Sequence, residues 1–404
     1  MASEGTKPHV LIVGAGLSGL ALAQCLRKQG ISFEIFDRDT NISTRQGWAI
    51  AMHTMIDDML SSFCSDMPPL RESAHHLLPL TLESQICFYR QGQKLGVQNT
   101  PDTPCVRLNR VLFRQWLATK IPIQWRKKLR RVEDDGKRVT VHFEDGTSAS
   151  GDILVGADGI NIREHLLGRP NKEVLKSIPL SCIWGETTLS GEAFERQLSL
   201  AHSAYMYVPV DSGHFVFVGL NSVNSDLSGN YYWCFSWEDD VDKPDHWLKD
   251  ASAEAKHDYV LKDSQWLEPK FREIYQLTQV NGIVPGMAVW RDAEISSLPA
   301  GRIVLIGDAA HPMTPFRGEG GVHAIKDALN ISSAFSQIDL KDLTNIGPAL
   351  GPFQQEILER GAAAVKLSRN AGSNNRQVQN AMVIWGHVAK PIAEENVSLE
   401  KSKP

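Results

Sequence analysis

The chain has 404 residues, a formal net charge of −5, 42% hydrophobic residues and 22% charged ones. This length can bury a sizeable core and suits two domains or one elaborated domain, with the composition of an ordinary globular protein. The negative charge argues against a general polyanion binder, so no nucleic-acid partner is expected.

The only basic cluster, Arg126-Lys-Lys-Leu-Arg-Arg131, reads as a solvated edge flanking a strand. No apolar run has transmembrane length, and no signal-peptide core precedes the first strand, so a soluble, cytoplasmic protein is expected. Cys25, Cys64, Cys87, Cys105, Cys182 and Cys234 form no CxxC pair and no metal-ligand spacing. They read as free thiols, and no metal site is expected.

His9-Val-Leu-Ile-Val-Gly14 reads as a buried strand that runs directly into Gly14-Ala-Gly16-Leu-Ser-Gly19. Helical periodicity follows to Gly30, a C-cap, and Ile31 to Asp37 alternates as a second strand. GxGxxG alone is weak. Here strand, motif, helix, strand and an acid 23 positions after Gly14 make a complete dinucleotide-binding context. Gly14 permits the turn, Gly16 admits a pyrophosphate, and Gly19 lets the helix pack on the strand. Asp37 would accept from an adenosine ribose and repel a 2′-phosphate. Arg45, just beyond the second strand, reads equally as a surface loop residue or as a cofactor or gating contact, and Gly47 beside it is a candidate cofactor contact.

Residues 53–70 read as helical, and 78–98 as a strand excursion. Val106 to Trp116 reads as one helix carrying Arg107, Arg110 and Arg114 on a single face, with Arg114 solvated. From Leu129 to Val155 the pattern is a β-meander, with Asp135-Gly136 and Asp145-Gly146 as hairpin signals. A buried strand then ends at Gly156-Ala-Asp158-Gly159, at a sheet's carboxyl edge where ligands bind in open α/β folds.

Residues 177–290 alternate as strands and hold 17 of the chain's 31 aromatic residues, which suits a sheet with one face over an apolar ligand and an ordinary half-buried sheet nearly as well. A helix is expected near Trp266 to Leu277.

Ile303 to Ile306 is a short buried strand, followed by Gly307-Asp308-Ala-Ala-His-Pro-Met-Thr-Pro-Phe-Arg-Gly-Glu-Gly320-Gly321 and a helix to Phe335. A carboxylate, a proline-stiffened loop and a glycine-led helix describe a cofactor cradle, because unpaired N–H groups at a helix start favour negative charge. A further amphipathic helix spans Pro352 to Leu367, and the tail from about Glu394 reads as disordered.

In order, GAGLSG, GADG and GDAAHPMTPFRGEGG resemble the single-component FAD-dependent aromatic hydroxylases, the p-hydroxybenzoate hydroxylase-like flavin monooxygenases, many of which tailor fungal secondary metabolites. The similarity runs from residue 9 to about residue 335. It implies an α/β fold: a Rossmann-like FAD-binding domain of the glutathione reductase type with a β-meander, plus a mostly antiparallel substrate domain. The expected division is 1–72, 101–176 and 284–350 for FAD; 73–100 and 177–283 for substrate; 351–393 as a C-terminal helical segment; and 394–404 as tail.

By the same resemblance, Gly14, Gly16 and Gly19 seat the pyrophosphate, Asp37 takes the ribose and Arg110 contacts the cofactor. Asp308 holds the ribityl chain, Gly320 and Gly321 bond the flavin pyrimidine, and Asp158 lies in a motif for FAD and nicotinamide. Asn161 replaces that motif's usual serine. The implied reaction uses NAD(P)H and O2 to hydroxylate, epoxidise or oxidatively rearrange an aromatic or polycyclic molecule through a flavin C4a-hydroperoxide.

The alternatives are a flavin-dependent reductase or dehydrogenase of the same fold and a non-enzymatic flavin-binding protein. His53, Tyr205, Tyr207 and His214 are available acid–base types, and nothing in their spacing selects a catalytic residue.

Overall fold

The computed structural model describes residues 7–44, 47–162, 166, 168, 170–207, 209, 213–298, 301–335, 338, 345–372, 383–384 and 387–402. Its first layer is a five-stranded parallel sheet in the spatial order Ile303–Leu305, Ile153–Gly156, Val10–Val13, Phe33–Phe36, Ile123–Gln124. The strands are continuous apolar runs because both faces are covered, as parallel sheets require. The helix Leu17–Gln29 closes on Gly30, which adopts the left-handed conformation at φ 62°. The helix Gly320–Phe335 packs beside it. A three-stranded antiparallel meander, Leu129–Asp134, Val139–Phe143 and Ser148–Gly151, packs Phe143 against Phe36 with ring centroids 4.8 Å apart.

Register decides where the chemistry goes. Val13 pairs with both Gly156 and Phe36, and Gly156 with Leu305. Gly14, Asp37, Asp158 and Asp308 therefore leave the sheet at one carboxyl edge.

The second layer is a seven-stranded sheet ordered Leu180–Leu189, Gly229–Glu238, His214–Val223, Ala204–Tyr207, Gln85–Arg90, Gln93–Gln98, Lys390–Pro391. Its pairs are antiparallel except Ala204–Tyr207 with Gln85–Arg90. Period-two alternation sorts its side chains. Ile183, Tyr205, Val216, Val218, Trp233 and Phe235 join one buried cluster with residues of the helices Gly191–Leu200, Ala253–Asp263 and Pro269–Leu277. The interleaved Trp184, Met206, Phe215, Phe217, Tyr232 and Cys234 face the first layer across a cavity. The aromatic excess thus serves two faces, one packed and one lining.

Four expectations change. Val106–Asn109 is a strand paired with Ala49–Met52, and only Arg110–Leu117 is helical. The Asn109 side chain accepts the N–H of Val111 at 3.0 Å and of Leu112 at 3.1 Å, so the helix starts there and Arg107 never shares its face. Residues 53–70 contain only Ile56–Ser62, with Leu70–Ala74 following the diproline. The tail is packed rather than disordered through residue 402: Lys390–Pro391 extends the large sheet, Leu399 is buried, and Leu399 N–H donates to Glu195 at 2.8 Å. The last helix spans Ile346–Gly372, longer than its periodic part.

Candidate active site

The carboxyl edge of the parallel sheet and the inner face of the large sheet enclose one cavity of about 770 Å³. Ligands collect at such edges because strand ends present free backbone groups and helix starts there. Gly14, Gly16, Asp37, Gly47, Arg110, Asp158, Asp308, Gly320 and Gly321 all line it. Gly19 does not: a Cβ there would lie 2.0 Å from the Gly14 carbonyl oxygen, so its part is helix-to-strand packing. Arg45 lies outside the described residues.

Gly14 has φ 112°, and a Cβ on it would sit 2.3 Å from the Ala157 carbonyl oxygen. The two glycine motifs touch through backbone that only glycine permits. Asp37 is 6% exposed and already engaged. It accepts from Ala15 N–H at 2.6 Å and Asp39 N–H at 2.8 Å, with Arg114 Nη2 at 3.4 Å.

Arg114 is the residue that the sequence misplaced. It is 2% exposed, donates through Nε to the Ala15 carbonyl at 2.8 Å, and pairs through Nη1 with Asp39 at 3.0 Å. It ties the glycine loop to the end of the second strand. The signal was obscured because its partners are 75 to 99 positions away.

Arg110 lies under Gly47, which has φ 114°; a Cβ there would sit 3.5 Å from Arg110 Cδ. Arg110 has no hydrogen-bond partner at its buried Nε; burial lowers its proton affinity, and the charge of Asp308 opposes that. Asp308 is exposed to the cavity and makes no hydrogen bond with another residue among those described. Asp158 accepts from Ile162 N–H at 3.0 Å, and burial raises its carboxyl to about 6. Asn161, in the usual serine's place, donates to the Asp158 carbonyl at 2.6 Å and accepts from Arg38 at 3.3 Å.

The helix Gly320–Phe335 begins its internal bonds at His323 N–H to Glu319, leaving the N–H groups of Gly320, Gly321 and Val322 without intrahelical acceptors. A Cβ on Gly320 would meet only Met313, 3.7 Å away, whereas one on Gly321 would collide with Ile50 at 2.0 Å. Gly320 keeps the cradle open and Gly321 packs the helix down. His311 is buried beneath it: its Nε2 is 2.7 Å from Asp327, which also accepts from Gly307 N–H and from Arg360 at 2.7 Å. That network braces the Asp308 turn from behind.

The far end of the cavity is apolar and aromatic. Trp48 stacks between Trp184, 4.7 Å away and 19° off parallel, and Tyr232, 4.8 Å away and 3° off. Arg107 donates to the Tyr232 hydroxyl. Trp48, Trp184, Tyr232 and Arg107 were not singled out for this site by sequence; sheet alternation selects Trp184 and Tyr232, and Trp48 and Arg107 reach them only where the Ala49–Met52 and Val106–Asn109 pair meets the large sheet. His53, Tyr205, Tyr207 and His214 do not line the cavity. Lys127 and Lys128 do, at the Asp37 end, so part of the basic cluster borders the site rather than lying only at a solvated edge.

These residues fit FAD. Glycine backbone and helix starts face one long cavity, and between the ends lie the buried cation Arg110, whose Nε has no hydrogen-bond partner, and the carboxylate Asp308, which makes no hydrogen bond with another residue among those described. A parallel α/β sheet with that cradle, joined to a sheet with an aromatic inner face, defines a flavoprotein oxidoreductase.

The chain belongs to the FAD binding domain family, whose model matches residues 7–338. It is an FAD-dependent monooxygenase: it is 49% identical over 372 residues to FAD-dependent monooxygenase thnD of Trichoderma harzianum, covering 89% of this chain and 92% of that one. A more distant relative is 6-hydroxynicotinate 3-monooxygenase of Bordetella bronchiseptica, 25% identical over 83% of this chain and 85% of the relative. The fold matches 2,6-dihydroxypyridine-3-hydroxylase of Arthrobacter nicotinovorans with a TM-score of 0.72 at 17% identity, over 98% of this chain and 100% of that one. It also matches Klebsiella pneumoniae HpxO complexed with FAD and uric acid, with a TM-score of 0.71 at 21% identity, over 92% and 90%. The reductase alternative is not favoured by these relatives. Among the described residues no helix is long and apolar enough to cross a membrane.

Proposed function

We propose that this enzyme uses NAD(P)H and O2 to hydroxylate, or epoxidise, an aromatic or polycyclic small molecule held at the aromatic end of the cavity, within secondary metabolism. The observation that carries this reading is continuity: one cavity runs from Gly14 and Asp37 past Asp308 and Gly320 to Trp184, Phe215, Phe217 and Tyr232. A cofactor seated in the cradle thus adjoins an apolar slot with flat walls. The relative named for a hydroxylated pyridine carboxylate supports a ring substrate.

In this reading Gly14 and Gly16 admit the diphosphate against the start of Leu17–Gln29, Asp37 takes the ribose with its remaining acceptor capacity, and Arg110 and Asp308 hold the chain toward the flavin. Gly320 and Gly321 present backbone N–H groups to the flavin's pyrimidine edge. FAD, when bound and reduced by NAD(P)H, supplies oxygen activation. The protein's contribution is positional and electrostatic. The start of Gly320–Phe335 favours negative charge beside it, and the packed rings of Trp48, Trp184, Phe215 and Phe316 exclude water from the reacting edge.

We also propose the division into an FAD part (1–72, 101–176, 284–350) and a substrate part (73–100, 177–283). It is supported by separate buried clusters around Val10–Val13 and around Trp233.

The test is spectroscopic. Purified protein should carry an FAD absorption spectrum, and members of a panel of aromatic metabolites should perturb it and stimulate NAD(P)H oxidation. A colourless protein that takes up no FAD would overturn the reading.

A further inference from the structure

Arg107 has no place in the cofactor cradle and yet lines the cavity. It leaves the strand Val106–Asn109, is 5% exposed, and donates through Nη2 to the hydroxyl of Tyr232. Its Nε has no hydrogen-bond partner, and no carboxylate pairs with it among the described residues. The Phe217 ring lies 5.9 Å from the guanidinium carbon, and His76 bonds through Nδ1 to the Arg107 carbonyl at 2.8 Å. Burial and the charge of Arg107 hold His76 well below the usual imidazole range, so it is neutral.

A buried cation resting on one neutral acceptor is costly unless an anion completes it. A simple tie between the ribbon and the large sheet would need only a neutral donor to Tyr232, which an amide supplies. The uncompensated charge needs a different explanation, and the cofactor's phosphates do not give one. In the proposed reading Gly14 and Gly16 serve that side, while Arg107 bonds to Tyr232, one wall of the Trp184–Trp48–Tyr232 stack. That stack gives this end of the cavity flat aromatic walls.

Resting on the reading that this end receives the substrate, we propose that Arg107 is its anion anchor and that the substrate is a planar ring system bearing an oxyanion. Tyr232 is the second hydrogen-bonding group at that oxygen. The oxyanion is a carboxylate or an ionised phenol or enol; all present an acceptor that a guanidinium binds in a charge-assisted way. An anchor at one edge fixes the ring's orientation in the slot and thereby the position presented to the cofactor.

The experiment uses FAD-loaded holoenzyme at neutral pH, titrated with 2-naphthoate, 2-naphthol and neutral 2-naphthamide while flavin difference absorption is recorded. At least one acidic probe should bind about tenfold or more tighter than the amide, the scale of one charge-assisted contact. Arg107→Gln should erase that preference while leaving the amide's Kd within about threefold, and Arg107→Lys should keep part of it.

A naphtholate absorption band from bound 2-naphthol assigns the phenolate source; tight 2-naphthoate without that band assigns the carboxylate. FAD content and melting temperature are measured for each variant. If Arg107→Gln does not hold FAD, the reduced preference of Arg107→Lys decides.

Equal binding of amide and acids, no saturable response to either acid, or equal loss of both classes in Arg107→Gln would each overturn the anchor. Ring-stimulated NAD(P)H oxidation by neutral probes alone removes the anchor and keeps the monooxygenase reading. Tight, Arg107-dependent acid binding with no stimulated NAD(P)H oxidation supports the anchor and counts against that reading.

Discussion

Arg114 donates through Nε to the carbonyl oxygen of Ala15 at 2.8 Å, reaching from a helix more than ninety positions away into the first glycine loop. The same guanidinium holds Asp39 and approaches Asp37. The loop that faces the cofactor is therefore held in shape by a buried cation that does not itself line the cavity.

Arg114→Ala should weaken both fold and cofactor binding, because it leaves Asp37 and Asp39 short of their cation. Breaking a buried pair costs about 3–5 kcal/mol. Denaturant melts of apoprotein and an FAD titration measure the two effects; an unchanged apoprotein midpoint would contradict this account of the loop.

Asp308→Ala should behave in the opposite way. Asp308 makes no hydrogen bond with another residue among those described, so apoprotein stability should change little while FAD binding weakens by about 1.5–3 kcal/mol, the range of a hydrogen bond to a charged group. Retention of full FAD affinity would remove Asp308 from the cofactor site.

Asp37→Ala is expected to cost more than lost ribose hydrogen bonds. Its carboxylate accepts two backbone N–H groups, one of them in the glycine loop. Apoprotein stability should fall together with FAD affinity, by about 1–3 kcal/mol each; a change in affinity alone would show that the loop keeps its shape without this carboxylate.

Asp158 gives a pH signature. Burial raises its carboxyl to about 6, above the ordinary unfolded value. The folded state then holds the proton more tightly, so this group's contribution to stability falls as pH rises from about 4 to about 6, and its cost persists above that. Asp158→Asn should stabilise apoprotein at pH 8 by about 1–2 kcal/mol, discounted for partial exposure, and by almost nothing at pH 4. Equal effects at both pH values would show that ionisation is not the cause.

Much of the cradle was legible because its geometry is local. The spacing of Gly14, Gly16, Gly19 and Asp37 encodes a strand, turn, helix and strand by itself, and the turn that carries Asp308 off the strand Ile303–Leu305 is announced by Gly307. The error over residues 106–116 shows where local reading fails. Arg107, Arg110 and Arg114 have helical spacing, but Asn109 caps a helix that begins later, and pairing with Ala49–Met52 makes the preceding residues a strand. Arg114 reads as surface because its partners are remote in sequence. Trp48 and Tyr232 are brought together only when the ribbon and the large sheet meet, so no periodicity within either segment could place them in one stack.

The central claim is oxygen transfer by an FAD-loaded enzyme to a ring bound beside the cradle. Turnover of a stimulating aromatic compound under isotopically labelled O2, followed by mass spectrometry, tests it most directly. The account predicts NAD(P)H consumption coupled to a product carrying one labelled oxygen atom. Full conversion in anaerobic buffer, or a product whose added oxygen comes from water, would contradict it.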